Sequence, residues 1–313
     1  MTHRRKTSLT AVAASTAVLL GLAACSTGAE DADTPADDAS ESTTGDLEEI
    51  TIALPPGGWP EGEAASYLWA NILESEGYEV NLESGGDMGV IYTAVAGGEY
   101  DLFLDAWLPV THADYFDQYG EDMERLGAWY DDARLTIAVN EDAPVESLAD
   151  LAENAEAFDN RLVGIEPGAG LTGITKDEVI PTYGLEGMEF VESSTPAMLA
   201  ELSGAIDDGR DVAVTLWRPH WAYDAFPIRD LEDPEGTLGD AETIESVGRA
   251  GFAEDYPQLA AWLAEFTLTG DQLFSLENIM FNENEGEDNE GSVEQWLEEN
   301  PDFVDDLKAA AEG

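Results

Sequence analysis

The expected fold follows from two stretches of sequence, Asp101-Leu-Phe-Leu-Asp-Ala-Trp107-Leu-Pro109 and Asp211-Val-Ala-Val-Thr-Leu-Trp217-Arg-Pro219. Each is an apolar run that predicts a strand, with a tryptophan at its carboxyl end and a proline that stops the strand two residues later. Ligands of open α/β sheets bind outside the carboxyl ends of the strands. Two indoles placed there from separate parts of the chain predict an aromatic box, which holds quaternary ammonium groups by cation–π attraction.

Around these stretches, strand-like and helix-like segments alternate from Ile50 onward. The predicted strands are Ile50–Leu54, Glu79–Glu83, Asp101–Ala106, Leu135–Val139, Leu162–Ile165, Glu189–Glu192 and Asp211–Leu216. Helical patterns lie between them, for example Met88–Gly97 and Thr195–Asp208. Alternation of this kind is typical of an α/β fold. The order of elements repeats in the two halves, which predicts two α/β lobes with a cleft between them. Residues 241–313 are expected to be largely helical.

The charge is extreme, with 12 Lys+Arg against 68 Asp+Glu and a formal net charge of −56. Nucleic acid is not an expected partner, because binding to phosphate backbones needs a basic surface. An apolar content of 43% with 9% aromatics indicates a folded protein. We interpret the acidity as an adaptation to very high salt, where self-repulsion is screened over about 3 Å at 1 M.

The first 24 residues read as a lipoprotein signal peptide. Arg4, Arg5 and Lys6 precede an apolar stretch that ends in Leu22-Ala-Ala-Cys25, which resembles a bacterial lipobox. This resemblance implies lipid attachment to Cys25; the alternative is an ordinary signal peptide with a chance cysteine near its end. Cys25 is the only cysteine, so no disulfide is expected. Residues 25–48 are small, polar and acidic, which predicts a disordered tether.

Three further segments point to the predicted cleft. Trp59 follows the first strand, and His112 comes five residues after Trp107. The segment Gly168-Ala-Gly-Leu-Thr-Gly173 lies between a strand and a helical stretch. Glycines in that position let backbone N–H groups bind an anion such as a carboxylate, which the helix dipole also favours. A cation box beside a carboxylate site predicts a small zwitterionic ligand with a quaternary nitrogen.

At these residues the chain resembles the glycine betaine-binding proteins of ABC osmoprotectant transporters. The motifs that carry the resemblance are DAWLPVTH (residues 105–112), GIEPGAGLT (164–172), ESSTPAML (192–199) and VTLWRPHW (214–221). It implies a two-lobed α/β fold of the type II periplasmic binding protein kind, each lobe a mixed sheet flanked by helices. Lobe 1 would span 49–140, completed by helical 232–313, and lobe 2 would span 141–231.

The resemblance also implies the binding residues. Three tryptophans would surround the trimethylammonium group, and a histidine with two backbone N–H groups would hold the carboxylate. Carried onto this chain, these residues are Trp59, Trp107, Trp217, His112, Gly170 and Leu171. The flanks of Trp59 depart from the family pattern, and Asp105 is a charged departure that could point to the other face of its strand.

As a whole, these features predict a monomeric receptor, lipid-anchored outside the cell membrane, that delivers its ligand to an ABC permease. No catalytic residue, metal site or cofactor is expected. Choline and carnitine remain alternative ligands, because cage residues alone do not measure the depth of the pocket. A secreted hydrolase is disfavoured by the absence of a G-x-S-x-G motif and of a His/Cys cluster in the sequence. A structural adhesin would leave the tryptophans at the strand ends unexplained.

The large excess of acidic residues predicts that the stability of the protein depends on salt concentration. If self-repulsion among the carboxylates opposes folding at low ionic strength, the free energy of unfolding should rise when NaCl is increased from 0.1 M to 2 M. Urea denaturation followed by tryptophan fluorescence at each salt concentration measures this change. Equal stability at both concentrations would contradict our interpretation of the charge.

Overall fold

The computed structural model describes residues 49–312. The predicted leader (1–24), Cys25 and the predicted tether (25–48) lie outside the described residues. The strands in the described part of the chain are β1 (Glu49–Leu54), β2 (Glu79–Ser84), β3 (Leu102–Leu108), β4 (Met123–Asn140), β5 (Arg161–Val163), β6 (Glu189–Val191), β7 (Ala213–Arg218), β8 (Ile228–Asp230) and β9 (Glu242–Arg249).

Helices surround these strands. The α-helices are α1 (Pro60–Ser75), α2 (Met88–Gly97), α3 (Ala113–Tyr119), α4 (Leu148–Leu151), α5 (Gly170–Ile174), α6 (Ile180–Tyr183), α7 (Thr195–Asp208), α8 (Ala222–Ala225), α9 (Phe252–Asp255), α10 (Pro257–Glu265), α11 (Gly270–Glu277), α12 (Asn289–Glu299) and α13 (Phe303–Ala311). Short 3₁₀ helices lie at Gly120–Asp122 and Ala155–Phe158, and π-helical turns at Thr175–Val179 and Asn278–Glu283.

The strands form a mixed sheet in the order β2-β1-β3-β9-β4-β7-β5-β6, with β8 paired to β4. Parallel pairing joins the outer strands, since β1 pairs with β2 and β3, and β5 pairs with β6 and β7. The middle of the sheet is antiparallel, because β9 lies between β3 and β4, and β4 pairs with β7. The expected α/β class, with mixed sheets flanked by helices, is confirmed.

The long strand β4 connects the two ends of this sheet. Its residues from Met123 to Ala133 pair with β9, and those from Arg134 to Val139 pair with β7. Register shifts interrupt the pairing with β9, which is typical of a strand that bends. β4 therefore belongs to both halves of the fold, and the lobe boundaries predicted above stay a prediction.

The prediction of a helical region over residues 232–313 is wrong for β9, which lies at the centre of the sheet. Two glutamates in this strand conceal its apolar alternation, because acidic residues normally indicate a solvated surface. Both are buried here and both have partners. Glu242 accepts a hydrogen bond from the backbone N–H of Val110 (2.7 Å), and Glu245 pairs with Arg125.

The helix α7 begins and ends as the sequence predicts. The side chain of Ser194 accepts a hydrogen bond from the backbone N–H of Ala197, and Pro196 lies in the first turn. Gly209 ends the helix in the left-handed conformation, with φ of 64°. The cap therefore fixes the position of Thr195, the first residue of the helix, which becomes important in the site.

Four tryptophans outside the predicted site lie in the core, as expected for residues of this size. Three of them pack against other aromatic rings; the T-shaped pair of Trp69 and Phe266, for example, has ring centroids 5.4 Å apart. These buried core tryptophans are Trp69, Trp129, Trp262 and Trp296.

A candidate binding site lined by tryptophans

The tryptophans of the predicted cage reach one cavity from three different elements. Trp107 lies near the carboxyl end of strand β3, Trp217 lies near the end of β7, and Trp59 lies directly before α1. Each side chain is nearly buried, with only 3–5% of its surface exposed. The cavity is lined by Trp59, Glu61, Trp107, Thr111, His112, Leu135, Ile165, Ala169, Gly170, Leu171 and Trp217. All six residues predicted from the sequence therefore line the same cavity, and their contact with a ligand stays a prediction.

Two contacts between aromatic rings are formed in the cavity lining. The ring centroids of Trp59 and Trp217 are 6.0 Å apart with an interplanar angle of 61°, and the ring of Trp59 stacks on His112 at 6.4 Å. The indole N–H of Trp107 donates to Asp105 Oδ1 (2.8 Å). Asp105 therefore lies on the same face of the strand as Trp107, as residues two apart must, and the suggestion that it points to the other face is wrong.

The indole of Trp59 is held by residues that are distant in sequence. Its N–H donates to Thr195 Oγ1 (3.1 Å), and the Thr195 hydroxyl in turn donates to Glu166 Oε2 (2.9 Å). Glu166 Oε1 also accepts the backbone N–H of Thr195 (2.7 Å). Glu166 follows β5, whereas Trp59 follows β1 at the other end of the sheet. These bonds therefore close the cavity between the two halves of the fold.

A second contact between the two halves involves the glycine-rich turn. The Tyr115 hydroxyl donates to the backbone oxygen of Gly168 (3.0 Å). A Cβ atom on Gly170 would lie only 2.1 Å from the backbone oxygen of Thr111, so a larger residue does not fit there. Gly170 and Leu171 are the first residues of α5, where backbone N–H groups have no acceptor inside the helix. Their N–H groups are thus available at the wall of the cavity.

The hydrogen bonds of His112 determine its tautomer. Its Nδ1 accepts the backbone N–H of Trp107 (3.0 Å), so the proton of the neutral ring is on Nε2. Nε2 has no hydrogen-bond partner in the described part of the chain, and the side chain is fully buried. Burial lowers the pKa of His112 to about 3, so the ring is neutral at physiological pH. It therefore presents an unused N–H donor at the cavity.

One residue of the cavity that the sequence analysis missed carries a potential charge. Glu61 is only 1% exposed, and its Oε2 has no hydrogen-bond partner among residues 49–312. Its position in the first turn of α1 is a usual place for an acidic residue at a helix N-terminus, which hides any functional signal. The other lining residues that the sequence analysis did not single out are apolar or small: Thr111, Leu135, Ile165 and Ala169.

Glu61 belongs to a group of three buried carboxyls with Asp105 and Glu277. Burial raises the pKa of Glu61 to about 8, and burial together with repulsion from Glu61 raises the pKa of Asp105 and of Glu277 well above their usual range. The indole N–H of Trp217 approaches Glu61, and the backbone N–H of Trp221 approaches Glu277; each offsets part of the rise in pKa. Neither contact reaches hydrogen-bond geometry, so Oε2 of Glu61 and both carboxyl oxygens of Glu277 have no hydrogen-bond partner within the described residues.

Comparison with known proteins identifies the family. Residues 48–299 match the family OpuAC, described as the substrate binding domain of ABC-type glycine betaine transport systems. The chain belongs to this family of substrate-binding domains. The matched range covers both halves of the fold and all the residues that line the cavity.

Individual members of the OpuAC family are similar over different lengths. The glycine betaine/carnitine transport binding protein GbuC of Listeria monocytogenes is 34% identical over 164 residues, which is 52% of each protein. The chain thus matches about half the length of that relative. A crystal structure of lactococcal OpuAC in its closed-liganded conformation with glycine betaine is similar with a TM-score of 0.76 and 27% identity, covering 83% of this chain and 99% of that one. A choline-binding protein in complex with choline is similar with a TM-score of 0.73 and 25% identity, covering 84% and 96%.

Two residues close to Trp217 do not line the cavity. His220 packs edge to face against Trp217, with ring centroids 4.8 Å apart, and its Nδ1 accepts the backbone N–H of Ala222 (3.0 Å). Trp221 packs beside His220 at 5.5 Å. His220 therefore supports Trp217 in this OpuAC-family domain, and Trp221 supports His220 in turn. None of the helices within residues 49–312 is long and apolar enough to cross a bilayer.

The buried carboxyls predict an unusual dependence of stability on pH. Because the folded-state pKa of Glu61 is about 8 and its ordinary value is 4.5, the folded protein keeps a proton that the unfolded chain has released between these pH values. The free energy of unfolding should therefore fall as pH rises from 6.5 to 8.5. The buried histidines His112 and His220, whose pKa is lowered from 6.5 to about 3, act in the opposite direction as pH rises, but most of their effect lies below pH 6.5 and almost none remains above pH 7.5.

Urea denaturation at pH 6.5, 7.5 and 8.5 tests this. Glu277→Gln should make the decline shallower, because an amide neither titrates nor repels Glu61. Glu141→Gln, at an exposed position, is the matched control and should leave the slope unchanged. Stability that is constant or rises over this range in the unaltered protein would show that the three carboxyls are not protonated in the folded state.

Proposed function

We propose that this protein captures glycine betaine, or a closely related quaternary ammonium zwitterion, outside the cytoplasm and delivers it unchanged to the permease of an ABC importer. The observation that carries the proposal is a cavity lined by two chemically different sets of groups. One set is the indole rings of Trp59, Trp107 and Trp217, and the other is the N–H groups of His112, Gly170 and Leu171.

The tryptophan side chains of the cavity suit a methylated ammonium group. Such a group has no N–H donor, so it gains little from hydrogen-bond acceptors and much from the negative faces of aromatic rings. A desolvated cation–π contact contributes about 2 kcal/mol, so Trp59, Trp107 and Trp217 together could contribute on the order of 6 kcal/mol. The Asp105 and Thr195 side chains hold two of these indoles by their N–H edges and not by their ring faces.

The N–H groups of the cavity suit a carboxylate. Within residues 49–312, Nε2 of neutral His112 has no hydrogen-bond partner, and Gly170 and Leu171 lie in the first turn of α5, where the helix offers their N–H groups no acceptor. Hydrogen bonds to a charged acceptor contribute about 1.5–3 kcal/mol each before the cost of binding is subtracted. A neutral histidine is sufficient, because one N–H donor is all that the carboxylate requires from it.

The bonds between the halves support a receptor that closes around its ligand. In this proposal the lobes, 49–140 with 232–313 and 141–231, open and close about β4, and closure brings Trp59 to Glu166 and Thr195. Hinge closure of this kind is a known motion of periplasmic binding proteins. We further propose that the receptor acts as a monomer and is held at the membrane by a lipid on Cys25.

Choline is the second candidate ligand. It has the same head group but no carboxylate, so the N–H donors would be unused. The observation that favours it is Glu61, whose carboxyl lies in the cavity and could balance a net positive charge. Carnitine, which has a carboxylate at a greater distance from the nitrogen, would use both the indole rings and the N–H donors.

Isothermal titration calorimetry with glycine betaine, choline and carnitine tests the proposed function. We expect glycine betaine to bind, and Trp217→Ala to weaken binding of every ligand by about 30-fold, the equivalent of one desolvated cation–π contact of about 2 kcal/mol. Phe274→Ala, which alters an exposed aromatic residue, is the control and should leave affinity unchanged. Unchanged affinity in Trp217→Ala would contradict the cage, and no binding of any of the three ligands would contradict the function.

Substitution of His112 distinguishes binding of the ligand carboxylate from binding of the ammonium group. His112→Ala should weaken glycine betaine by roughly 10-fold to 100-fold, because one charge-assisted hydrogen bond to the carboxylate is lost. Choline has no carboxylate, so its dissociation constant should change by less than about 3-fold. Calorimetry with both ligands on the same preparation measures the difference. An equal loss for both would show that His112 acts on the cage through its hydrogen bond to the Trp107 backbone, and would refute carboxylate binding by its ring.

A further inference from the structure

The contacts of the buried Glu61 carboxyl reveal no structural role for it. It lies in the first turn of α1, which packs tightly on β3: a Cβ atom on Gly62 would lie 2.6 Å from the carboxyl carbon of Asp105. Glu61 lines the cavity beside the tryptophans, and its Oε2 has no partner in the part of the chain that the structure describes. A carboxyl in this position is part of the wall that a ligand would meet.

The groups that face Glu61 are acidic or neutral on every side. Glu63 of the same helix, Asp105 of β3 and Glu277 of α11 all raise its pKa or are raised by it. His112, from the loop after β3, lines the same cavity and is neutral. Within residues 49–312, no lysine or arginine forms an ion pair with Glu61, Asp105 or Glu277.

An ionised carboxylate without a cation is costly to bury, so Glu61 keeps its proton until a cation is present. A quaternary ammonium group entering the cavity supplies that cation. It cannot accept a proton or donate a hydrogen bond, so its effect on Glu61 is purely electrostatic. It stabilises the carboxylate form across a short, desolvated distance, where charge interactions are strong.

The neighbouring indole strengthens this effect. The N–H group of Trp217 lies beside Glu61 and has no acceptor within hydrogen-bond geometry among residues 49–312. An ionised carboxylate is a better acceptor than a protonated one, so loss of the proton lets Trp217 form a charge-assisted hydrogen bond. The same ionisation thus provides the countercharge and holds a cage ring in place.

We propose that Glu61 is the countercharge of the cage and that capture of a quaternary ammonium ligand is coupled to the release of its proton. The O–H bond of the carboxyl breaks, the proton passes to solvent, and the carboxylate remains beside the cationic head; no other bond changes. The inference rests on the proposed function, because it requires a cationic group in the cavity.

Proton release can be counted directly. Calorimetric titration of the full chain with glycine betaine and with choline is carried out in phosphate, HEPES and Tris buffers, whose heats of ionisation differ. The dependence of the observed heat on buffer ionisation heat gives the number of protons exchanged. At pH 7 about nine-tenths of a group with a pKa of about 8 is protonated, so we expect nearly one proton released; at pH 9.5 we expect almost none.

Affinity should follow the same linkage. The dissociation constant should fall by up to tenfold for each unit of pH between 6 and 8 and become constant above pH 9. Glu61→Gln, which keeps the shape of the protonated carboxyl, should abolish both the proton release and the pH dependence. It should weaken choline by at least tenfold and glycine betaine by less, because the carboxylate of glycine betaine supplies part of the countercharge.

Glu277→Gln serves as the matched variant, since it alters a buried carboxyl of the same group outside the cavity lining. Proton release should persist in Glu277→Gln and disappear in Glu61→Gln; the reverse result would overturn the assignment to Glu61. Binding of glycine betaine or choline without proton release at pH 7 would refute the coupling but leave the proposed function intact. Absence of binding of both ligands would refute both proposals.

Discussion

An indole ring can present its face to a cation only if its N–H edge is directed elsewhere, and this constraint organises the site. The edge of Trp107 is occupied by Asp105, and the edge of Trp59 by Thr195. The edge of Trp217 lies toward Glu61. Each aromatic residue of the cage thus brings a polar residue into the interior. The buried polar groups around the cavity are a consequence of orienting three indoles inward.

The same requirement explains why the site needs both halves of the fold. Trp59 enters from one end of the sheet, but its indole is held by Thr195 and Glu166, which follow strands at the other end. Orientation of this ring therefore depends on contacts from both halves. Strand β4 runs through both halves, so the two groups of residues remain connected by one continuous element while the cavity lies beside it. In the proposed mechanism, positioning of Trp59 and closure of the cavity therefore occur together.

The residues that the sequence analysis could predict are those whose signal is local. A tryptophan at a strand end, a proline after it and a glycine turn before a helix are visible within a few positions, and Trp107, Trp217 and Gly170 were found in this way. Thr195 and Glu61 were not found in the site, because each also fits a common structural role at the start of a helix. Strand β9 was missed for a related reason: its buried glutamates have partners more than 100 residues away, and no local pattern shows them.

The chain therefore carries two kinds of acidity with different physics. Surface carboxylates interact through water, and at molar salt their fields extend over only about 3 Å. The carboxyls of Glu61, Asp105 and Glu277 are removed from solvent, so dissolved ions screen them very little. Electrostatic interaction between Glu61 and a ligand inside the cavity consequently persists at salt concentrations that remove long-range attraction by the surface. In concentrated salt a charge inside the protein can still act on a bound ligand, and in our proposal Glu61 provides that charge.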